Sequence, residues 1–499
     1  MPHVDIIGGG VAGLSLGIYL QKNGIDTHIY EQHSVAGGLC TSWKRHNYTF
    51  NGCLHWILGS RQGISFYHFW KELFDIDKLQ FYMPAERVVF DMPLPDCNDE
   101  NKFHFYTNID TFESYLHSIA HEDDVRIKQW CNNVRTIIPL LDYLPPIWPN
   151  NIWQKIKLSL KLIRLVKILP FMYSWGKMSN RDYAQKFHSP FLREAINRLY
   201  DAEMRMNIVV FAQAYAAKQV AQYPIGGSAF FTQQLVSRYK ELGGNIHLSC
   251  QVKSVITDNN RAVGLELTNG LKTRADYVVS AADWHWTVFE ALKGRFVNNT
   301  ILKLKNPSKN EVFYSYCRLF MGVALPMNNV PHFARIDVEP LTLPDGTYYE
   351  HLEVETYNHD HTLAPQKCVT MVVNLLTREG LWWINLRKNN IAEYKKTKQL
   401  LQQQILQRLE KRFGTAWLNS IEVTDLVTPA TWHRYTGNLW GSSQGWSPNN
   451  ITKRIKIGNK LPKLKNFMLC GHWTEAGGGI PIALYSARKV ANAIIKEFS

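Results

Sequence analysis

Residues 3–31 decide the fold: HVDIIGGGVAGLSLGIYLQKNGIDTHIYE. Val4-Asp5-Ile6-Ile7 is a short apolar run, and Gly8, Gly10 and Gly13 follow as G-x-G-x-x-G, with Gly17 one helical turn further on. Leu14 to Asn23 has a helical pattern that Gly24 stops, and Thr27 to Tyr30 reads as a second strand. This is a βαβ opening. The first glycine permits a tight turn, the second lets backbone approach a pyrophosphate, and the third lets the helix pack close on the strand. The helix N-terminus then faces the phosphates. Glu31 ends the second strand, where a carboxylate accepts hydrogen bonds from ribose hydroxyls.

Further along the chain, the pattern extends an α/β (α+β) fold with a second, interleaved part. Residues 80–224 are rich in aromatics and helical patterns, broken at Pro145-Pro146 and Pro149. A helix runs from Ser228 to about Leu242 and ends at Gly243-Gly244. Short strands follow at Asn245–Ser249, Val252–Thr257, Arg261–Thr268 and Tyr277–Ala281, with Asn259-Asn260 and Asn269-Gly270 as hairpin signals. Residues 310–375 read as strands of a second sheet, 390–413 as a charged amphipathic helix, 467–471 as a strand, and Ile480–Lys496 as a last helix.

The chain has 499 residues, with 56 Lys and Arg against 42 Asp and Glu, a net charge of +14. The excess is local. Residues 151–181 carry Lys155, Lys157, Lys161, Arg164, Lys167, Lys177 and Arg181 without an acid; residues 453–465 carry six more bases, again without an acid. Two patches point to a defined anionic surface as partner. Eight scattered cysteines with no Cys-x-x-Cys pair read as reduced thiols in a cytosolic compartment, not as a zinc site. No apolar run is long enough to span a bilayer, and the N-terminus lacks a basic leader.

Other motifs complete the picture. Gly37-Gly38 is followed by Lys44, Arg45, Tyr48, Phe50 and Gly52; Tyr223-Pro224-Ile225-Gly226-Gly227-Ser228 opens the second helix. Thr428-Pro429-Ala430-Thr431 precedes Tyr435-Thr436-Gly437-Asn438, and the chain closes with Leu469-Cys470-Gly471-His472, Gly477-Gly478-Gly479-Ile480-Pro481 and Ser486-Ala487-Arg488. From residue 3 to residue 496, these motifs resemble the phytoene desaturase family of flavoproteins, which includes carotenoid isomerases and retinol saturases. The resemblance implies FAD as the nucleotide, in a Rossmann-type domain of the glutathione-reductase/amine-oxidase kind. It implies three FAD segments, 1–80, 224–292 and 460–499. A helical, membrane-facing region at 81–223 and a substrate domain at 293–459 lie between them. It also implies that Glu31 binds the adenosine ribose, that Gly37, Gly38 and Lys44 or Arg45 lie beside the pyrophosphate, and that Val252 meets the adenine. Gly471, Gly479, Ile480 and Pro481 would lie along the ribityl chain and isoalloxazine. Three positions depart from the family pattern: Leu39 for Arg, Asn51 for Asp, and His472 for Asp.

The implied chemistry is desaturation, saturation or cis–trans isomerisation of a lipophilic polyene, isoprenoid or long-chain lipid; the electron partner stays open. Such chemistry needs a dry slot and at most one proton donor or acceptor. His55, His472 and Glu475 are the candidates for it. His359-Asp360-His361 reads as a solvated loop without further metal ligands, and Trp284, His285 and Trp286 as a cap on the sheet. No metal site is expected. Residues 152–169 place Gln154, Lys157, Lys161, Arg164 and Lys167 on one helical stripe, with Leu, Ile and Val covering most of the remainder and aromatics to Trp175 behind. This predicts a helix lying in the membrane interface, and a cytoplasmic, peripherally membrane-associated protein. Nucleic-acid binders interleave bases with aromatics or use a recognition helix, so nucleic acid is not expected as a partner. The competing class is a basic surface- or nucleic-acid-binding protein that retains FAD only structurally.

Overall fold

The computed structural model describes residues 1–92, 102–142, 169–199, 204–447, 455, 457–475 and 477–499. The interfacial helix expected at 152–169 falls almost wholly outside them, as do three of the bases of 453–465.

The opening βαβ unit forms as read. β1 (His3–Ile7), α1 (Val11–Gln21) and β2 (Asp26–Tyr30) begin a five-stranded, all-parallel sheet. Its order is Asn245–His247, β2, β1, Tyr277–Ser280, Phe467–Leu469, so three distant parts of the chain share it. Every residue of α1 from Val11 to Leu20 is buried, because the Gly227–Glu241 helix and the final helix, Gly479–Phe498, pack on it as well as the sheet. That explains why its pattern is apolar all round rather than striped. Gly13 and Gly17 make the packing possible: a Cβ on Gly13 would sit 2.0 Å from the Gly8 carbonyl oxygen, and one on Gly17 would sit 2.5 Å from the Tyr239 ring.

A seven-stranded mixed sheet forms the second layer, in the order Ile421–Val427, Ser315–Val323, Val369–Thr377, Tyr348–Thr356, Phe333–Thr342, Glu86–Asp91, Lys102–Tyr106. The last two strands come from the stretch read as helical; their alternation is short and set among aromatics, and the sheet edge supplies the partner that local pattern lacked. Alternation divides this sheet's faces. Cys317, Leu319, Met321 and Val323 pack with Leu401, Ile405 and Leu409 of the Ile391–Phe413 helix. Arg318 and Phe320 point the other way, Phe320 onto Tyr48 and Phe50 of the Ser42–Arg45/Tyr48–Asn51 hairpin. The helices Ile109–Ile119, Asp124–Ile137, Pro190–Leu199 and Met206–Ala217 pack a third core. Trp175 belongs to that core, its ring tilted against that of Tyr183 with centroids 4.7 Å apart, while Tyr173 is exposed.

Candidate active site

A cavity of about 940 Å³ opens at the carboxyl ends of the parallel strands, where ligands bind in open α/β sheets. Its wall begins with the glycine turn. Gly8 has φ +97°, a conformation open to glycine. Gly10 is extended, and a Cβ there would meet nothing closer than 3.9 Å: its face is open cavity. Gly10 caps α1 without a side-chain bond, and the first turn carries no acid. The first N–H groups of α1 are therefore free for an anion. Glu31, buried, accepts hydrogen bonds from Gly9 N at 2.7 Å and His33 N at 2.8 Å. Burial raises its pKa against the pull of those N–H groups.

Of the residues expected at the cofactor, Gly8, Gly10, Glu31, Gly37, Gly38, Val252, Gly471, Gly479, Ile480 and Pro481 all line this one cavity. Gly13 does not; it sits behind the turn and sets the packing of α1. Lys44 and Arg45 lie off the wall, exposed on their hairpin, with Arg45 paired to Asp425 at 2.9 Å. Gly479 opens the last helix, whose N-terminus also lacks a side-chain cap and an acid.

Among the proton candidates, His55 and His472 are on the wall and Glu475 is off it. Nε2 of His472 is buried without a hydrogen-bond partner, and burial lowers its pKa to about 4, so the ring is neutral at pH 7. His55 is held from both sides: Nδ1 lies 2.9 Å from Glu355 Oε1, and Nε2 lies 2.9 Å from Arg318 Nη2. Arg has no acceptor, so Arg318 donates to Nε2 and the Nδ1–H tautomer faces Glu355. Glu355 also accepts from Asn374 Nδ2 at 2.5 Å and Tyr357 OH at 2.7 Å. Burial opposes its charge, but His55 and Arg318 hold its pKa well below the usual carboxylate range. Arg318, itself buried, also donates to Gly52 O at 2.6 Å and lies over the Tyr316 ring at 4.2 Å.

Sequence reasoning had missed Arg318 and Glu355. Their signal was a single Arg in Tyr316-Cys317-Arg318-Leu319-Phe320, and an acid ending Leu352-Glu353-Val354-Glu355. It also misread the loop at 359–361. Asp360 is not solvated: it is buried and accepts from Tyr223 OH at 2.9 Å and Gly226 N at 2.8 Å, and His359 stacks on Tyr82. Local polarity gave no hint that the loop anchors the 223–228 turn. Asp283, His285 and Trp286 do more than cap the sheet, since they line the cavity, with Asp283 accepting from Trp286 N and Leu439 N.

A Rossmann-type sheet, a glycine turn open to a cavity, and a second uncapped helix facing it define a dinucleotide-dependent enzyme. The sequence profile of the flavin-containing amine oxidoreductases matches residues 11–495, and the chain belongs to that family. Its cofactor is FAD, and it is an FAD-dependent oxidoreductase. The chain is 23% identical over 526 aligned residues to a 4,4'-diapophytoene desaturase (4,4'-diapolycopene-forming) of Methylomonas sp, covering 99% of this chain and 95% of that one. It is equally 23% identical to a 4,4'-diaponeurosporene oxygenase of Staphylococcus aureus (strain MW2), covering 99% and 98%. Two solved structures share the fold: an oxidoreductase from Methanosarcina mazei (TM-score 0.60, 14% identity, 98% and 100% covered) and a putrescine oxidase triple mutant (TM-score 0.57, 12% identity, 99% of each covered).

Proposed function

We propose that this FAD oxidoreductase acts on C–C or C=C bonds of a lipophilic polyene or isoprenoid, by desaturation, saturation or isomerisation, and draws that substrate from a membrane. The observation that carries the reading is full-length similarity to carotenoid desaturases and oxygenases, together with a cavity whose lining includes Leu54, Trp56, Ile57, Leu58, Leu381 and Ile384. Leu54, Ile57 and Leu58 are buried and exclude water, while the exposed Trp56 and Leu381 offer apolar surface to an entering chain.

FAD, when bound, supplies the two-electron exchange with carbon. The rest is done by this chain. Gly10 gives backbone room for the pyrophosphate, the start of α1 offers it N–H groups, and Glu31 holds the ribose. The helix starting at Gly479 presents its positive end to the ring system. His55 is the proton-handling group: Glu355 fixes its tautomer and orientation, and Nε2 takes a proton once the Arg318 bond opens. Segments 1–80, 224–292 and 460–499 act as one FAD-binding domain.

Among the described residues, no helix is long and apolar enough to cross a membrane. Membrane delivery is proposed to run through the basic, apolar stretch 152–175, with anionic lipid as its partner. The deciding experiment mixes the FAD-loaded enzyme anaerobically with a linear polyene in liposomes and follows the flavin and polyene spectra and the polyene mass. Bleaching of the flavin with loss of two hydrogens marks desaturation. Polyene left unchanged by both oxidised and dithionite-reduced enzyme would refute the substrate class. Changing Lys157, Lys161 and Arg164 to Glu should weaken sedimentation with anionic liposomes at low salt while FAD content holds; unchanged sedimentation defeats the membrane reading.

A further inference from the structure

At the other end of the same sheet, away from the cavity, side chains of adjacent strands converge. β1 begins His3-Val4-Asp5 and β2 begins Asp26-Thr27-His28. The strands are parallel, with His3 opposite Asp26 and Asp5 opposite His28. Alternation puts all four on the sheet face opposite Val4 and Ile6, which belong to the α1 core. A ligand atom from each of His3, Asp5 and His28 lies within 4.8 Å of the other two. We infer that His3, Asp5 and His28 form a binding site for a divalent transition-metal ion, zinc by the chemistry of its ligands. Two imidazoles and a carboxylate are a borderline N/O set, suited to four-coordinate zinc with water as the fourth ligand.

The groups around the three ligands carry the argument further than proximity does. Metal-bound histidines typically donate their second ring N–H to a carboxylate, and bound carboxylates are themselves hydrogen-bonded. Here His3 Nε2 faces Asp5 Oδ1 at 3.0 Å while its Nδ1 lies 2.5 Å from Asp26 Oδ2. Asp5, fully buried, accepts from the Thr273 hydroxyl through its other oxygen, Oδ2, at 2.5 Å. His28 Nδ1 lies 3.4 Å from His247 Nε2, on the next strand of the sheet. An ion here would clamp β1 to β2 at the ends remote from the glycine turn.

The test uses the full-length, FAD-loaded chain without an affinity tag, freed of metal by dialysis and titrated calorimetrically with Zn²⁺. One zinc per chain is expected with a dissociation constant of about 1 μM or tighter. His28→Asn should weaken it at least tenfold, and His361→Asn, an exposed histidine elsewhere, should leave it unchanged. Should His28→Asn fail to fold, Co²⁺ on the wild-type chain reads the same site. The intense visible bands of a four-coordinate N/O site, displaced by one equivalent of zinc, are expected. No saturable binding, binding unchanged by His28→Asn, or only the weak spectrum of hydrated cobalt would overturn the site.

Discussion

The two ends of the cavity are built by opposite means. The nucleotide end is made of backbone: Gly8 and Gly10 on the wall, Gly13 packed behind them within the same six residues, and a helix terminus without a cap. The inner wall is anchored by charge: Arg318 and His55 stand on it and Glu355 is buried behind His55, the three coming from distant strands or loops and stabilised by one another. The first is legible because a motif spans a few residues and each glycine has a steric reason. The second depends on which face of a sheet a side chain occupies, and on what the neighbouring strands bring to it.

The largest expected effect separates the glycines from one another. Gly13→Val drives a side chain into the Gly8 carbonyl, 2.0 Å from where its Cβ would be, and should cost at least about 3 kcal/mol of stability as well as the flavin. Gly10→Val has room for its Cβ and an extended backbone, so the fold should survive while FAD is lost from the folded protein. Denaturant unfolding beside flavin absorbance checks both. Stoichiometric FAD in folded Gly10→Val would detach this loop from the cofactor.

The inner wall should break as a unit. Glu355→Gln leaves Arg318 without its buried counter-charge, and about 3–5 kcal/mol of stability should go with it. The sign with pH follows from a folded pKa below the unfolded value: the contribution is complete above the ordinary carboxylate range and is lost as pH falls through and below it. The gap between wild type and Glu355→Gln should therefore narrow progressively below about pH 4.5. A gap that stays constant down to pH 3 would show that Glu355 is not the charged partner. For function, His55→Gln should lower turnover at least tenfold with FAD retained, whereas Glu475→Gln, off the wall, should stay within twofold.

His472 gives a smaller signature that also lowers stability as pH falls, but in a window at higher pH. Its folded pKa of about 4 lies below the free imidazole value, so the unfolded chain binds the extra proton and stability declines as pH falls from 6.5 towards 4. His472→Asn should remove about 3 kcal/mol of that decline. An unaltered slope in unfolding experiments across this window would place the titration elsewhere. Smallest of all, Arg45→Ala removes an exposed pair with Asp425 and should cost no more than about 1 kcal/mol, with FAD affinity within twofold of wild type. A tenfold loss of FAD would put Arg45 at the pyrophosphate after all.

Flavin and family came from the resemblance of motifs spread from residue 3 to residue 496; by itself, the sequence determined the opening βαβ unit and a nucleotide site, because these rest on steric rules local to a few residues. Helix 391–413 and the hairpin at Asn259-Asn260, where both residues take positive φ, were legible for the same reason. Tertiary structure decided what local pattern could not carry. It placed the strands at 86–91 and 102–106 in the seven-stranded sheet, and buried Asp360 under the 223–228 turn. It left Arg45 away from the cavity and turned His55 towards Glu355. It also brought His-x-Asp and Asp-x-His onto one face of two parallel strands. Each of these depends on register and on which face meets which partner, and a side chain's charge becomes chemistry only when its neighbours across the sheet remove the water around it.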